Sequence, residues 1–119
     1  MTGALSILVV EDEPLISMML EDFLDALGYR LAGCADDVSE AMRHVEQGGF
    51  DAALLDVNLR DGETSWPVAD ALSARGNPFI LATGGGNEIV PERHAGVPVL
   101  TKPYTLDGIR NAFESLLNP

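Results

Sequence analysis

The chain has 119 residues, 46% hydrophobic and 22% charged, enough for one domain spanning residues 1–119 with a core of its own. Nineteen acidic residues against seven basic ones leave a formal charge of −12, which argues against a nucleic-acid or anionic-membrane surface, since both need a basic footprint. No apolar run approaches the roughly 20 residues of a membrane span, and no basic region precedes the apolar start, so the cytoplasm is the expected compartment and proteins or a cation the expected partners.

The first element is a strand over Leu5 to Val10 (LSILVV), followed directly by Glu11 and Asp12. Pro14 suits the first helical position and Gly28 the residue past the end, with Leu15, Met18, Met19, Phe23 and Leu27 at helical spacing between them. A weaker strand over Arg30 to Ala35 contains the only cysteine, Cys34, which reads as a small packing residue. Val38 to Val45 predicts a second helix, with Ala41, Met42 and Val45 on one side and Gly48-Gly49 as its stop. A third strand, Ala52 to Val57, is interrupted by Asp56, and a third helix over Pro67 to Ala74 turns Val68, Ala71 and Leu72 inward. The fourth strand, Phe79 to Thr83, runs into GGGNEIVPERHAG, where three glycines and Pro91 leave room only for a short, mobile helix. Val97 to Thr101 is the fifth strand, and Thr105 caps a last helix that buries Ile109, Ala112, Phe113, Leu116 and Leu117.

Strand and helix alternate five times, and most strands are continuously apolar rather than alternating. That pattern predicts a doubly wound α/β fold, a five-stranded parallel sheet with five flanking helices. In such sheets ligands bind at the carboxyl ends of the strands. Glu11 and Asp12 follow the first strand, Asp56 ends the third, Thr83 the fourth and Lys102, the only lysine, the fifth. Acidic residues at a helix start often only favour its dipole, but an unpaired carboxylate among Leu54, Leu55 and Val57 is expensive and demands a partner. Three clustered carboxylates repel one another, and a hard divalent cation such as Mg²⁺ relieves this with the help of Lys102. A phosphoryl group on Asp56 then becomes tolerable, held by the cation, Lys102 and the Thr83 hydroxyl.

The pieces VVEDE, LLDVNL, LATG and LTKP, in this order and spacing, resemble the receiver domain of two-component response regulators over essentially the whole chain. The resemblance implies a flavodoxin-like sheet of order 2-1-3-4-5, Asp56 as phosphoacceptor, and Mg²⁺ bound by Asp12, Asp56 and the Asn58 carbonyl, with Glu11 reaching the metal through water. It further implies Thr83 as the switch hydroxyl, Lys102 as the phosphoryl ligand, a cis Lys102-Pro103 bond, and a sensor histidine kinase or histidine phosphotransfer protein as phosphoryl donor. The family usually carries an aromatic three residues before the lysine, where this chain has Val99, so switching is expected through Gly84, Gly85 and Gly86 instead. The stretch from Asn58 to Gly86 also resembles an alphaproteobacterial receiver subgroup with a Phe-Ala-Thr-Gly type fourth-strand motif, although Leu81 replaces that phenylalanine.

Two rival readings use the same residues. A small phosphatase of haloacid-dehalogenase type also has an aspartyl nucleophile, but its general-acid Asp two residues later is Asn58 here, and no cap domain is visible. Asn58 and Gly85 instead flank the expected path of a water that hydrolyses the phosphoaspartate slowly. A histidine phosphotransfer protein would use His44, yet needs a helical bundle that the strands contradict; His44 reads as a solvated helix residue and His94 as a loop residue. Trp66 and Tyr104 suit either partner contact or packing. No output segment follows Asn118-Pro119, so the expected output is protein contact, phosphate exchange, or a domain of a larger hybrid kinase or regulator.

Overall fold

The structure, a computed structural model, describes residues 4–84 and 89–117. Its elements are β1 (Ser6–Val10), α1 (Pro14–Ala26), β2 (Arg30–Ala35), α2 (Val38–Gln47), β3 (Ala52–Asp56), α3 (Trp66–Ala74), β4 (Phe79–Thr83), β5 (Val99–Thr101) and α4 (Leu106–Leu117). The strands are all parallel and lie in the order β2-β1-β3-β4-β5, as the resemblance implies.

Side chains alternate across a strand, and here the alternation divides the core in two. Leu8, Val10, Ala53, Leu55 and Leu81 point to the face covered by α2 and α3, where they meet Ala41, Val45, Val68 and Leu72. Ile7, Val9, Ala52, Leu54, Ile80 and Ala82 point to the other, where Leu20 and Leu24 of α1 and Ile109 and Phe113 of α4 close over them. β1, β3 and β4 are therefore buried throughout, which is why they read as unbroken apolar runs. The Thr105 cap is present: its Oγ1 accepts from Gly108 N at 2.9 Å.

Several expectations need correction. Among the described residues there are four α-helices, not five. Between β4 and β5 the described chain has only a 3₁₀ turn at Glu92–His94, entered from Pro91, which supplies no N–H to a preceding turn. Gly85 and Gly86 lie outside the described residues. In α1 the buried line is Leu20 and Leu24, flanked by Ile16, Met19, Phe23 and Leu27, so Leu15 and Met18 fall on the outer side and are exposed. Cys34 is exposed as well, because β2 is an edge strand with alternating exposure; its thiol lies 3.2 Å from Ser17 Oγ. His44 is half-buried over Gly33, where a Cβ would come within 2.7 Å of the imidazole. β5 is shorter than expected, Val99–Thr101, and Val99 is exposed on it.

Candidate functional site

Sheet register sets the site. Val10 pairs with Leu55, and Asp56 with Ala82, so Glu11, Asp56 and Thr83 leave neighbouring strands at one edge. Thr83 aligns with Thr101, and Lys102 N donates to the Thr83 carbonyl at 2.8 Å, which brings the lysine to the same edge. Glu11, Asp56 and Thr83 are all buried, unusual for such side chains without a function or a partner.

Glu11, Asp12 and Asp56 each offer a carboxylate oxygen, and these oxygens lie within 4.8 Å of one another. Lys102 Nζ is 2.8 Å from Asp56 Oδ2 and 3.7 Å from Glu11 Oε1. Burial pushes the Glu11 carboxyl up to about 7, helped by the charge of Asp56 and opposed by Lys102. Burial raises Asp56 too, while the bond to Lys102 and the main-chain N–H of Asn58 work the other way. The Lys102 ammonium, although partly desolvated, is held above its ordinary value by Asp56 and Glu11. One ammonium thus offsets only part of the charge of two buried carboxylates.

The residues fit a hard divalent cation. Glu11 Oε1 is buried and accepts no hydrogen bond among the described residues, and an all-oxygen donor set of three carboxylates is what Mg²⁺ or Ca²⁺ takes rather than zinc. The Asn58 side chain is exposed, and its backbone lies in the turn after β3, where it bridges to Thr64. The Lys102-Pro103 bond is cis, as the resemblance implies.

Four residues, three of them near this edge, carry more than sequence reading assigns them. Ser65 precedes α3 in the cap position but makes no cap bond; its hydroxyl donates to the Asp56 carbonyl at 2.5 Å, bracing the backbone of the candidate phosphoacceptor. Tyr104 is buried beneath the site with Lys102 Nζ 5.8 Å from its ring centroid, and burial and the charges of Glu11 and Asp56 disfavour its ionisation. Its environment is therefore packing rather than an open partner surface. Arg60 reaches from the turn after β3 to the carbonyl of Asp12 at 3.0 Å. His94 is no open-loop residue: it is buried, stacks on Trp66 at 6.0 Å and bonds Asp70 Oδ1 at 2.8 Å. A serine before a helix, a basic residue in a turn and an aromatic after a proline have common bland roles, so only their tertiary neighbours reveal these contacts.

A compact acidic edge with one lysine, on a parallel sheet of order 2-1-3-4-5, defines a class of signalling module, and residues 7–114 match the family of response regulator receiver domains. The chain belongs to that family. It is similar to SdrG from Sphingomonas melonis Fr1, whose solution structure superposes with a TM-score of 0.86 at 55% identity, covering 98% of this chain and 99% of that one. The BeF3-activated conformation of SdrG, from Pseudomonas melonis Fr1, gives a TM-score of 0.80 at 54% identity, over 97% and 98% of the two chains. The phyllosphere-induced regulator PhyR of Methylorubrum extorquens is 32% identical over 104 residues, 85% of this chain but 39% of PhyR. The chain thus spans well under two-thirds of that relative. Among the described residues no helix is long and apolar enough to cross a membrane.

Proposed function

We propose that residues 1–119 act as one receiver unit that takes a phosphoryl group on Asp56 from a phosphohistidine of a sensor kinase or phosphotransfer protein, with Mg²⁺ bound by Asp12, Asp56, the Asn58 carbonyl and, through water, Glu11. The observation that carries this reading is the placement of Lys102 Nζ 2.8 Å from Asp56 Oδ2 inside a cluster of three carboxylates. Resemblance to SdrG and PhyR receivers supports assignment to their subgroup.

In the transfer, an Asp56 carboxylate oxygen attacks phosphorus, the new P–O bond forms as the P–N bond to the donor imidazole breaks, and the electron pair leaves on that nitrogen. A Mg²⁺ held by Asp12, Asp56 and the Asn58 carbonyl would supply positive charge to offset that of the carboxylates and the transferred group. Lys102 is already directed at Asp56 and moves to a phosphoryl oxygen with a short displacement. Thr83 offers its hydroxyl from the adjacent strand. Ser65 keeps the Asp56 backbone fixed while its carboxylate reacts. The chain catalyses at most its own phosphorylation and the hydrolysis of the phosphoaspartate; its output runs through a protein partner that reads the changed edge. The PhyR of Bartonella quintana, a structural neighbour at 26% identity over 48% of its own chain, is described as an anti-anti-sigma factor.

Intact-mass measurement after incubation with acetyl phosphate and Mg²⁺ tests this. Wild type should gain one phosphoryl group and Asp56→Asn none; an unchanged adduct in Asp56→Asn, or no adduct in wild type, rejects the assignment.

A further inference from the structure

Among the described residues Arg60 is a second cation at this edge, and its contacts are unusual for an exposed arginine. Its Nη2 lies 3.0 Å from the main-chain carbonyl of Asp12 and 3.3 Å from Asp36 Oδ2. The side chain therefore leaves the β3–α3 turn, crosses to the β1–α1 loop and ends at the β2–α2 loop. Its base is firm. Leu59 N donates to the Glu63 carbonyl at 2.8 Å, Glu63 N to the Arg60 carbonyl at 3.2 Å, Asn58 pairs with Thr64, and Asp61 adopts a left-handed φ of 60° that closes the turn. Glu63 Oε1 in turn accepts from Val38 N at the start of α2.

The loop it reaches is held on either side of Asp12: Glu11 N donates to the Ala35 carbonyl at 2.9 Å, and Ser17 N to the Glu13 carbonyl at 2.9 Å. Between those two bonds Pro14 has no N–H to give, and the N–H of the peptide whose carbonyl Arg60 contacts, that of Glu13, donates to Glu11 Oε2 at 3.3 Å. The guanidinium contact therefore acts on the peptide that carries the half-buried carboxylate of the acidic cluster.

We infer that Arg60 is a positioning residue for the metal ligand Asp12, holding the β1–α1 loop so that its carboxylate joins Glu11 and Asp56 around a divalent cation. The inference rests on the receiver reading of that site. Its sign separates it from plain electrostatics. The guanidinium has the same charge as the cation, so Coulomb's law alone predicts that removing it tightens metal binding, by about two- to threefold at low salt. The ion pair with Asp36 is solvent-exposed and contributes little. Positioning predicts the reverse. Partners that orient a metal ligand typically change affinity by roughly 10- to 100-fold, and an exposed one acting through a main-chain carbonyl falls at or below the lower end of that range.

Mg²⁺ titration of wild type, Arg60→Ala and Arg60→Lys, followed by amide chemical shifts of Asp12 and Asn58, tests the inference. Arg60→Ala is expected to bind Mg²⁺ about three- to tenfold more weakly. Arg60→Lys keeps the charge but loses the planar fork, and is expected to lie between the other two. Arg60→Ala with wild-type or tighter affinity overturns the inference. An acetyl phosphate adduct on wild type, measured alongside, distinguishes the two levels. If wild type forms the adduct while Arg60→Ala binds Mg²⁺ undiminished, only the role of Arg60 falls. If wild type forms no adduct while Arg60→Ala binds Mg²⁺ more weakly, the phosphoacceptor reading falls and the role of Arg60 stands.

Discussion

Lys102 Nζ donates to Asp56 Oδ2 at 2.8 Å from the far end of a strand pairing, because Lys102 N is itself bonded to the Thr83 carbonyl. The ammonium is thus anchored at both ends, by the sheet and by the carboxylate. Lys102→Ala leaves Asp56 and Glu11 facing each other without a cation. Half-exposed as the lysine is, the loss should be about 1–3 kcal/mol in metal-free protein above neutral pH, less than for a fully buried pair. Added Mg²⁺ should recover most of it. Phosphoryl transfer should not recover, since one charged donor to the developing charge is worth about 100-fold or more in rate. Urea melts with EDTA or Mg²⁺, paired with adduct formation rates, decide this; equal stabilities of mutant and wild type in EDTA would show that the lysine balances no charge.

The raised Glu11 carboxyl makes metal-free stability depend on pH in an uncommon direction. Its ordinary value is 4.5 and in the fold it is about 7, so the folded protein binds this proton more tightly than the unfolded chain. The stabilisation is complete below about 4.5 and is lost as pH rises through about 7. In EDTA the urea midpoint should therefore fall between about pH 5 and 8, and Glu11→Gln should flatten the slope. Metal binding requires the ionised form, so apparent Mg²⁺ affinity should rise over the same window and level off above it. A wild-type midpoint in EDTA that stays constant or climbs across the window contradicts the assignment.

Ser65 offers a test of the backbone brace. Its hydroxyl donates to the Asp56 carbonyl at 2.5 Å, and its own N–H donates to the Val57 carbonyl at 3.0 Å. Ser65→Ala removes the first and keeps the second, leaving a buried carbonyl short of a partner. The expected cost is about 1–2 kcal/mol in urea unfolding, with slower phosphorylation of Asp56. Ser65→Thr should restore stability better than alanine if its methyl is accommodated. A loss confined to stability, with the phosphorylation rate intact, would separate Ser65 from the chemistry.

What could be read from the sequence was whatever breaks a pattern. Asp56 stands out because a carboxylate ends an apolar strand, and Lys102 because it is the single lysine after another strand; parallel topology then places both at one edge without further information. The strand order itself came from the resemblance. Residues whose roles depend on who approaches them were not legible. Ser65 looks like a helix cap and instead bonds backward to Asp56. His94 sits in a segment without periodicity, and only the fold shows α3 beside it. Leu15 and Met18 fit a helical stripe, but with about 3.6 residues per turn the stripe through Ile16, Leu20, Leu24 and Leu27 fits equally, and the position of α1 on the sheet selects it.

Cys34 tests the edge-strand correction directly. Burial of part of the side chain raises its thiol, and Glu40, Glu11 and Asp36 raise it further against the bond to Ser17. The thiol is exposed yet poor in thiolate. Folded protein should therefore label completely with a thiol reagent at pH 8, but more slowly than free cysteine. Labelling that begins only on unfolding would return Cys34 to the core.

His94 supports a last prediction. Asp70 is an acceptor in its ionised state, so His94 Nε2 carries the proton in their 2.8 Å bond, and the buried Nδ1 is left without a partner among the described residues. The ring stacks on Trp66 and meets Phe79 edge-on at 5.7 Å, fastening the segment before β5 to α3. His94→Ala loses both ring contacts and opens a cavity, for about 2–4 kcal/mol. Asp70→Ala strands a buried donor, for about 1–3 kcal/mol. Arg93→Ala breaks only an exposed pair and should change little. Arg93 and then His94 hold the Asp70 carboxyl below its ordinary range, so its contribution is present above the usual aspartate value and fades as pH falls through the lowered one. Urea midpoints of the three variants at neutral pH, with Trp66 fluorescence as probe, should order His94→Ala below Asp70→Ala below Arg93→Ala. Equal losses for Asp70→Ala and Arg93→Ala would mean that the carboxylate serves the exposed arginine and not the buried imidazole.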